Sequence, residues 1–225
     1  MQSTLRPELN DKLYLRDPQA TDLGRKIIGE SVRLIDEVGF EQFTFKKLAQ
    51  HIGSTEASLY RYFENKHRLL VYLVSWHWAW LRYQIQYHTH NVPDPAVRLR
   101  TMLGIVTRAH QDHAATTHLD EAALYRIVVA EASKTYLTRE VDAVNRDGFY
   151  REYKLLAADM VAVVLEINPA FPYPHALVST VLESARKQLF FAQHLPSLAD
   201  APDKAKAEDS VLLFLNHLVF AVLTN

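Results

Sequence analysis

Apolar positions recur at helical spacing along nearly the whole chain, and glycines, prolines and short polar stretches punctuate them. Leu23, Ile27, Ile28, Ser31, Leu34, Ile35 and Val38 trace one face of a helix over about 20–38, which Gly39 closes. Phe45, Leu48, Ala49 and Ile52 give a shorter helix one apolar face. Thr44 stands at its N-cap, where a hydroxyl accepts from first-turn amides. Gly53 ends it, because glycine enters the left-handed conformation without a Cβ clash. Thr55 caps the next helix, Glu56 to Phe63, whose Leu59 and Phe63 lie one turn apart. Phe40 and Phe43 bridge to this pair and complete a small core. From the cap Asn65 another helix runs without Pro or Gly to about His90.

Asn91 to Pro95 is a firm break. Helices then follow from Pro95 to about Ala115, with Leu99, Met102, Leu103, Val106 and Ala109 inward, and from Leu119 to about Lys134, with Leu124, Ile127, Val128 and Ala132 inward. Thr138 caps a longer helix to about Glu166, in which Gly148 permits a kink or a close approach. Asn168 to Pro174 is the second break, and a helix from His175 to about Gln193 follows it. After a loop over 196–206, the last helix, from about Ala207 to Thr224, is apolar nearly all round. The pattern predicts an all-α chain in three parts: a polar mobile arm over 1–17, a three-helix head over 18–67, and a larger helical domain over 68–225.

The head has the physical form of a helix-turn-helix, with a supporting helix, a tight turn carrying glycine, and a second helix sized for the major groove. Glu56, Ala57, Ser58, Tyr60, Arg61 and Tyr62 occupy the surface that Leu59 and Phe63 leave open. Lys66 falls in the first turn of the next helix, where a cation opposes the helix dipole and suits a nearby anion such as phosphate.

The string F-T-F-x-x-L-A-x-x-I-G-S-T-x-A-S-L-Y-R-Y-F-x-N-K-x-x-L-L resembles the DNA-binding signature of the TetR (tetracycline-repressor-like) transcriptional regulators. The resemblance covers about Leu23 to Leu70; beyond it, only length and helical pattern are similar. Carried over position by position, it implies that Lys46, Glu56, Ala57, Tyr60 and Arg61 meet base edges. Thr44, Ser58, Tyr62 and Lys66 would meet phosphates, and the cap Thr55 belongs to the same surface. The residue chemistry agrees in part. Arg61 lies opposite Leu59 and Phe63 on the wheel and can fork onto guanine, and Tyr60 can lie against a thymine methyl. Tyr62 and Ser58 hydroxyls can donate to phosphate. Glu56 accepts from cytosine or weakens non-specific binding.

The formal net charge of −1 does not announce a nucleic-acid protein. Locally, however, residues 44–68 carry five basic residues (Lys46, Lys47, Arg61, Lys66, Arg68) against Glu56 and Glu64. A local basic patch suffices for a small DNA-reading module, because phosphate attraction is short-ranged in salt. The absence of cysteine excludes disulfides, a thiolate nucleophile and cysteine-ligated zinc, and fits a reducing cytoplasm. No apolar run is long enough to span a membrane, and the first residues have no secretion-signal pattern.

Catalysis is not expected. There is no Gly-rich phosphate loop and no Gly-x-Ser-x-Gly elbow. His110, His113, His118, Asp120 and Glu121 have metal-ligand character but read better as scattered surface and capping groups. The one Glu-x-x-His, Glu64 to His67, lies in the head, whereas a di-iron bundle needs two on core helices. Neither metal nor cofactor is expected.

The larger domain reads instead as a sensor, with a mostly apolar cavity between helices for an unknown small molecule. Its expected lining is Trp76, Trp80, Tyr83, Met102, Val106, His110, Tyr125, Phe149, Tyr153 and Phe190. A last helix with two apolar faces needs covering twice. The last two helices are therefore expected to form a four-helix bundle with a second copy through Leu177, Val181, Ala185, Leu189, Val211, Leu215, Leu218 and Val222. Two-fold symmetry suits a palindromic double-stranded operator, and the resemblance implies the same dimer. The reading is thus a ligand-responsive homodimeric regulator, a repressor. The alternative is a helical small-molecule-binding or interaction protein that has lost sequence-specific DNA binding.

Overall fold

The computed structural model describes residues 7–109 and 119–224. Among these there is no strand, and the helices are α1 (Asp22–Val38), α2 (Phe45–Ile52), α3 (Glu56–Tyr60), α4 (Lys66–Thr89), α5 (Pro95–Thr107), α6 (Glu121–Glu131), α7 (Ser133–Tyr136), α8 (Val141–Arg146), α9 (Arg151–Ile167), α10 (Pro174–His194) and α11 (Ala207–Leu223). The all-α class stands.

The chain forms two compact units, and their boundary is not at residue 67. One unit is Met1–Trp80 with His110–Glu152, and the other is Leu81–Ala109 with Tyr153–Asn225. The sequence pattern could not show this division, because α4 crosses it without a helix break.

In the first unit, α1 packs on α2 and α6, and α2 packs on α3. Ile27, Ile28, Val32, Ile35, Phe40, Phe43, Phe45, Leu48, Ile52, Leu59 and Phe63 are all buried. Each deletion to alanine in such a core costs about 2–5 kcal/mol. Residues 7–17, expected as part of a mobile arm, are instead folded onto this core. Leu13 is only 2% exposed, and the Leu15 amide donates to the Tyr62 carbonyl at 2.8 Å. Two short 3-10 turns, Asp11–Leu13 and Pro18–Ala20, are capped by Asn10 and Asp17.

The helix expected over 138–166 is two helices. Gly148 adopts φ +79, beyond a kink, and the Asp147–Tyr150 turn separates α8 from α9. In the second unit α10 packs on α11, and α5 packs on both. Val178, Val181, Leu182, Ala185 and Leu189 of α10 face Val211, Leu215, Val219 and Leu223 of α11 across a buried seam.

Candidate nucleic-acid interface

Local chemistry fixes the two helices of the motif. The Thr44 hydroxyl accepts from the Lys47 amide at 3.2 Å, and Gly53 (φ 68, ψ 39) closes α2 in the left-handed region. The Lys26 ammonium donates to the Ile52 carbonyl at 2.9 Å, so a cation from α1 also satisfies the C-terminal end of α2. Nothing in the α2 pattern signals that contact. The Thr55 hydroxyl accepts from the Ser58 amide at 3.3 Å and lies 2.8 Å from the Ser58 hydroxyl, so both side chains are engaged in opening α3.

α3 ends at Tyr60, before the expected Phe63. Arg61 caps it, and the Tyr62 and Phe63 amides turn back onto the Leu59 carbonyl. Thr44, Lys46, Thr55, Glu56, Ala57, Tyr60 and Arg61 are all exposed and Ser58 is half-buried. Tyr60 is 47% exposed, its ring edge-on to Phe45 at 5.0 Å, and its hydroxyl lies 3.4 Å from a Glu56 carboxylate oxygen. Part of the Glu56 charge is thus turned toward a donor on its own helix.

Two expected phosphate contacts are corrected. Tyr62 is only 2% exposed, and its hydroxyl pairs with Thr21 at 2.8 Å, so it is a core residue joining α3 to the start of α1. Lys66 donates to the carbonyls of Phe40, Glu41 and Phe43 at 3.0, 3.2 and 3.2 Å. Its three ammonium protons are therefore used within the head, and its cost against the dipole of α4 is offset there.

Of the five cations in residues 44–68, Lys47 donates to the Gln42 carbonyl and Arg68 pairs with Glu64 and lies over the Phe149 ring. Lys46 and Arg61 are the two that make no hydrogen bond or ion pair with the described residues. Arg16 is exposed beside this face, its guanidinium carbon 5.6 Å from the centre of the Tyr62 ring. It lies in the segment read as a mobile arm.

The expected sensor residues divide between the units. Trp76, Trp80, Tyr125 and Phe149 are buried in the first unit, and Met102 and Val106 in the second. Trp76 and Trp80 stack at 6.1 Å, and the Trp80 indole donates to a buried Glu121 carboxylate at 3.2 Å. The Trp76 indole N–H is buried and has no hydrogen-bond partner among the described residues. Phe149 serves the head, its carbonyl accepting from Ser75 and its ring taking Arg68. Tyr83 and Phe190 are exposed, which removes them from an enclosed lining. Tyr153 is half-buried and donates to Glu183 at 3.2 Å. His110 falls outside the described residues, as do His113 and His118. No group of three potential metal ligands occurs among the described residues.

Five of the eight residues expected at the self-association face are not available to a second copy, and three are. Val181, Ala185, Leu189, Val211 and Leu215 are buried within the protomer, in the α10–α11 seam. Leu177 and Leu218 are half-buried and Val222 is exposed. On α11 the exposed apolar residues include Leu213 at 72% exposure, Phe214 at 43% and Val222, and Tyr173 is exposed just before α10. Phe171, Tyr173, Leu177, Leu218 and Val222 line an open groove of about 720 Å³. Helical wheels could not separate these faces, since α11 is apolar on both.

Residues 27–73 match the family model for bacterial regulatory proteins of the tetR family. Solved structures share the fold over most of the chain. AibR, in complex with isovaleryl coenzyme A and operator DNA, is 18% identical with a TM-score of 0.57, over 87% of this chain and 98% of that one. The fatty acid degradation regulator FadR from Bacillus halodurans is 18% identical with a TM-score of 0.58, over 85% and 96%. The TetR family transcriptional regulator PfmR from Thermus thermophilus is 18% identical with a TM-score of 0.57, over 86% and 97%. No curated protein matches the chain in sequence. No described helix is long and apolar enough to cross a membrane.

Proposed function

We propose that this chain, a member of the tetR family of bacterial regulatory proteins through its helix-turn-helix head, is a cytoplasmic repressor. It binds a palindromic double-stranded operator as a homodimer, and a small, mostly apolar ligand sets its affinity. The observation that carries this is the open face of α2 and α3. Capping groups fix both helices, and Lys46 and Arg61 stand uncommitted beside Tyr60, Glu56 and Ala57. Arg61 reads guanine, Tyr60 packs on a thymine methyl, and Lys46 adds a looser base or phosphate contact. Thr44, Thr55 and Ser58 hydroxyls flank this surface and complete the phosphate contacts. The protein acts by binding, without catalysis.

The second copy covers Leu213, Phe214, Leu218 and Val222 of α11 together with Leu177 and Tyr173. This pairing buries the apolar surface that the protomer leaves open and supplies the two-fold axis that a palindrome requires. The ligand contacts the Trp76–Trp80 stack and Tyr125, where the Trp76 indole, unpaired among the described residues, offers a hydrogen-bond donor. Ligand and DNA binding have a precedent in the fold, since AibR is seen in complex with isovaleryl coenzyme A and operator DNA.

The test is selection from a random-duplex pool at two salt concentrations. The expected result is an enriched inverted repeat whose binding weakens steeply with salt. Absence of both enrichment and salt dependence would leave the chain a ligand binder only.

A further inference from the structure

Residues 10–20 form a strap that the tetR family match, which begins at residue 27, does not include. The strap lies tightly on α1. A Cβ at Gly24 would come within 2.2 Å of the Pro18 carbonyl oxygen, and Arg25 donates to the Gln19 carbonyl at 2.7 Å. Leu13 is buried, and the Tyr14 ring meets the Tyr72 ring edge-on at 6.2 Å.

At its two sides the strap makes different contacts. On one side the Leu15 amide donates to the Tyr62 carbonyl at 2.8 Å, just past the end of α3, and Arg16 lies over the Tyr62 ring. On the other side the Asn10 amide nitrogen donates to the Asp147 carbonyl at 2.6 Å, and the Lys12 ammonium pairs with the Asp147 carboxylate at 3.1 Å. Asp147 opens the turn between α8 and α9. Gly148 follows in the positive-φ region, and a Cβ there would stand 3.0 Å from the Asn10 amide nitrogen. Phe149 then holds Arg68 and Ser75 of α4. The end of the recognition helix and the α8–α9 turn, far apart in sequence, thus share one short, capped piece of backbone.

We propose that this strap is a positioning element for DNA reading: it ties Tyr62 at the exit of α3 to Asp147 in the α8–α9 turn, so that displacement of the turn alters the presentation of the recognition helix. The inference rests on the DNA-reading function proposed above. Coupling through packed, hydrogen-bonded segments of this kind is physically contiguous and acts on an element with few contacts of its own, since α3 is only five residues long.

The experiment uses the full chain carrying Asn10→Ala with Lys12→Met, which removes both side-chain contacts to the turn and leaves Leu13 and Leu15 in place. The operator dissociation constant is expected to rise about three- to tenfold with an unchanged salt slope. Amide hydrogen exchange at residues 59–63 is expected to quicken, with only a small fall in melting temperature from the lost Asn10 cap and turn contacts. Lys12→Met alone is the control for a direct phosphate contact. If it reproduces the whole loss with a slope shallower by about one and no change in exchange, the strap is not a positioning element. Unchanged affinity in the double variant overturns the proposal, and so does unchanged exchange. If the unmodified chain selects no duplex, the DNA-reading function has failed instead, and the tie is judged by exchange at residues 59–63 alone.

Discussion

The Lys66 ammonium sits 3.0 Å from the carbonyl oxygen of Phe40 and 4.8 Å from the centre of that residue's ring. Phe40 follows Gly39, whose φ of 77 turns the chain out of α1, and carbonyls in this loop have no helical partner. One lysine at the start of α4 thereby closes the connection between α1 and α2 and fixes the supporting helix.

Lys66→Met should therefore act on stability. Hydrogen bonds from a charged donor contribute about 1.5–3 kcal/mol, and partial exposure of Lys66 places the expected loss toward the lower end. Urea unfolding measures it. The salt slope of DNA binding should not change, whereas a phosphate contact would make it shallower by about one.

Arg61→Ala should weaken operator binding by about 1–3 kcal/mol and relax the preference at a single base pair, since Arg61 is exposed and uncommitted. Lys46→Ala should cost less. Titration against the operator and its single-base variants separates the two. Equal losses on every sequence would make Arg61 a phosphate contact.

Tyr62→Phe removes the hydroxyl shared with Thr21 and leaves the ring in the core. The expected loss is about 0.5–1.5 kcal/mol of stability, or somewhat more because the Thr21 hydroxyl loses a buried partner. Thr21 also caps α1 by accepting from the Gly24 amide at 3.0 Å, which softens the effect. DNA affinity of the folded protein should be unchanged within error.

Leu213→Glu with Phe214→Glu should give a folded monomer in sedimentation, because both side chains face outward. Val211→Glu should instead unfold the second unit, because Val211 is buried within the protomer. A dimer that survives the first pair of changes would place the interface elsewhere.

Burial, with Arg68 beside it, holds the His67 imidazole below its ordinary range, against a smaller opposing effect from Glu140. A depressed folded value means that the unfolded chain binds the proton more readily. The stability tied to His67 is present above about pH 6.5, the ordinary histidine value, and is lost as the pH falls through the depressed folded value. His67→Gln should flatten that acidic limb in unfolding measured from pH 7.5 down to 5.

The motif was legible because its determinants are local. Thr44 and Gly53 bound α2 at the two residues that sequence alone indicated, and Thr55 opens α3 where expected. Capping and positive φ depend on a few neighbouring residues, so a linear string carries them. The roles of Tyr62 and Lys66 were not legible. Each has the right chemistry for phosphate, and only the position of Thr21 or the 40–43 carbonyls reveals the competing partner.

By itself the sequence determined the all-α class, the helix-turn-helix with its caps, the glycine stops and the resemblance of the head to tetR-family regulators. These follow from spacing and from backbone preferences that act within a few residues. Tertiary structure decided which apolar face of α11 lies inside the protomer, where the two units divide along α4, and that Gly148 breaks a helix in two. It also decided that the segment before α1 is a strap on the head. Its apolar anchors are the buried Leu13 and Pro18, too small a signal to stand out in a polar stretch until Tyr62, Tyr72 and Asp147 are brought around them.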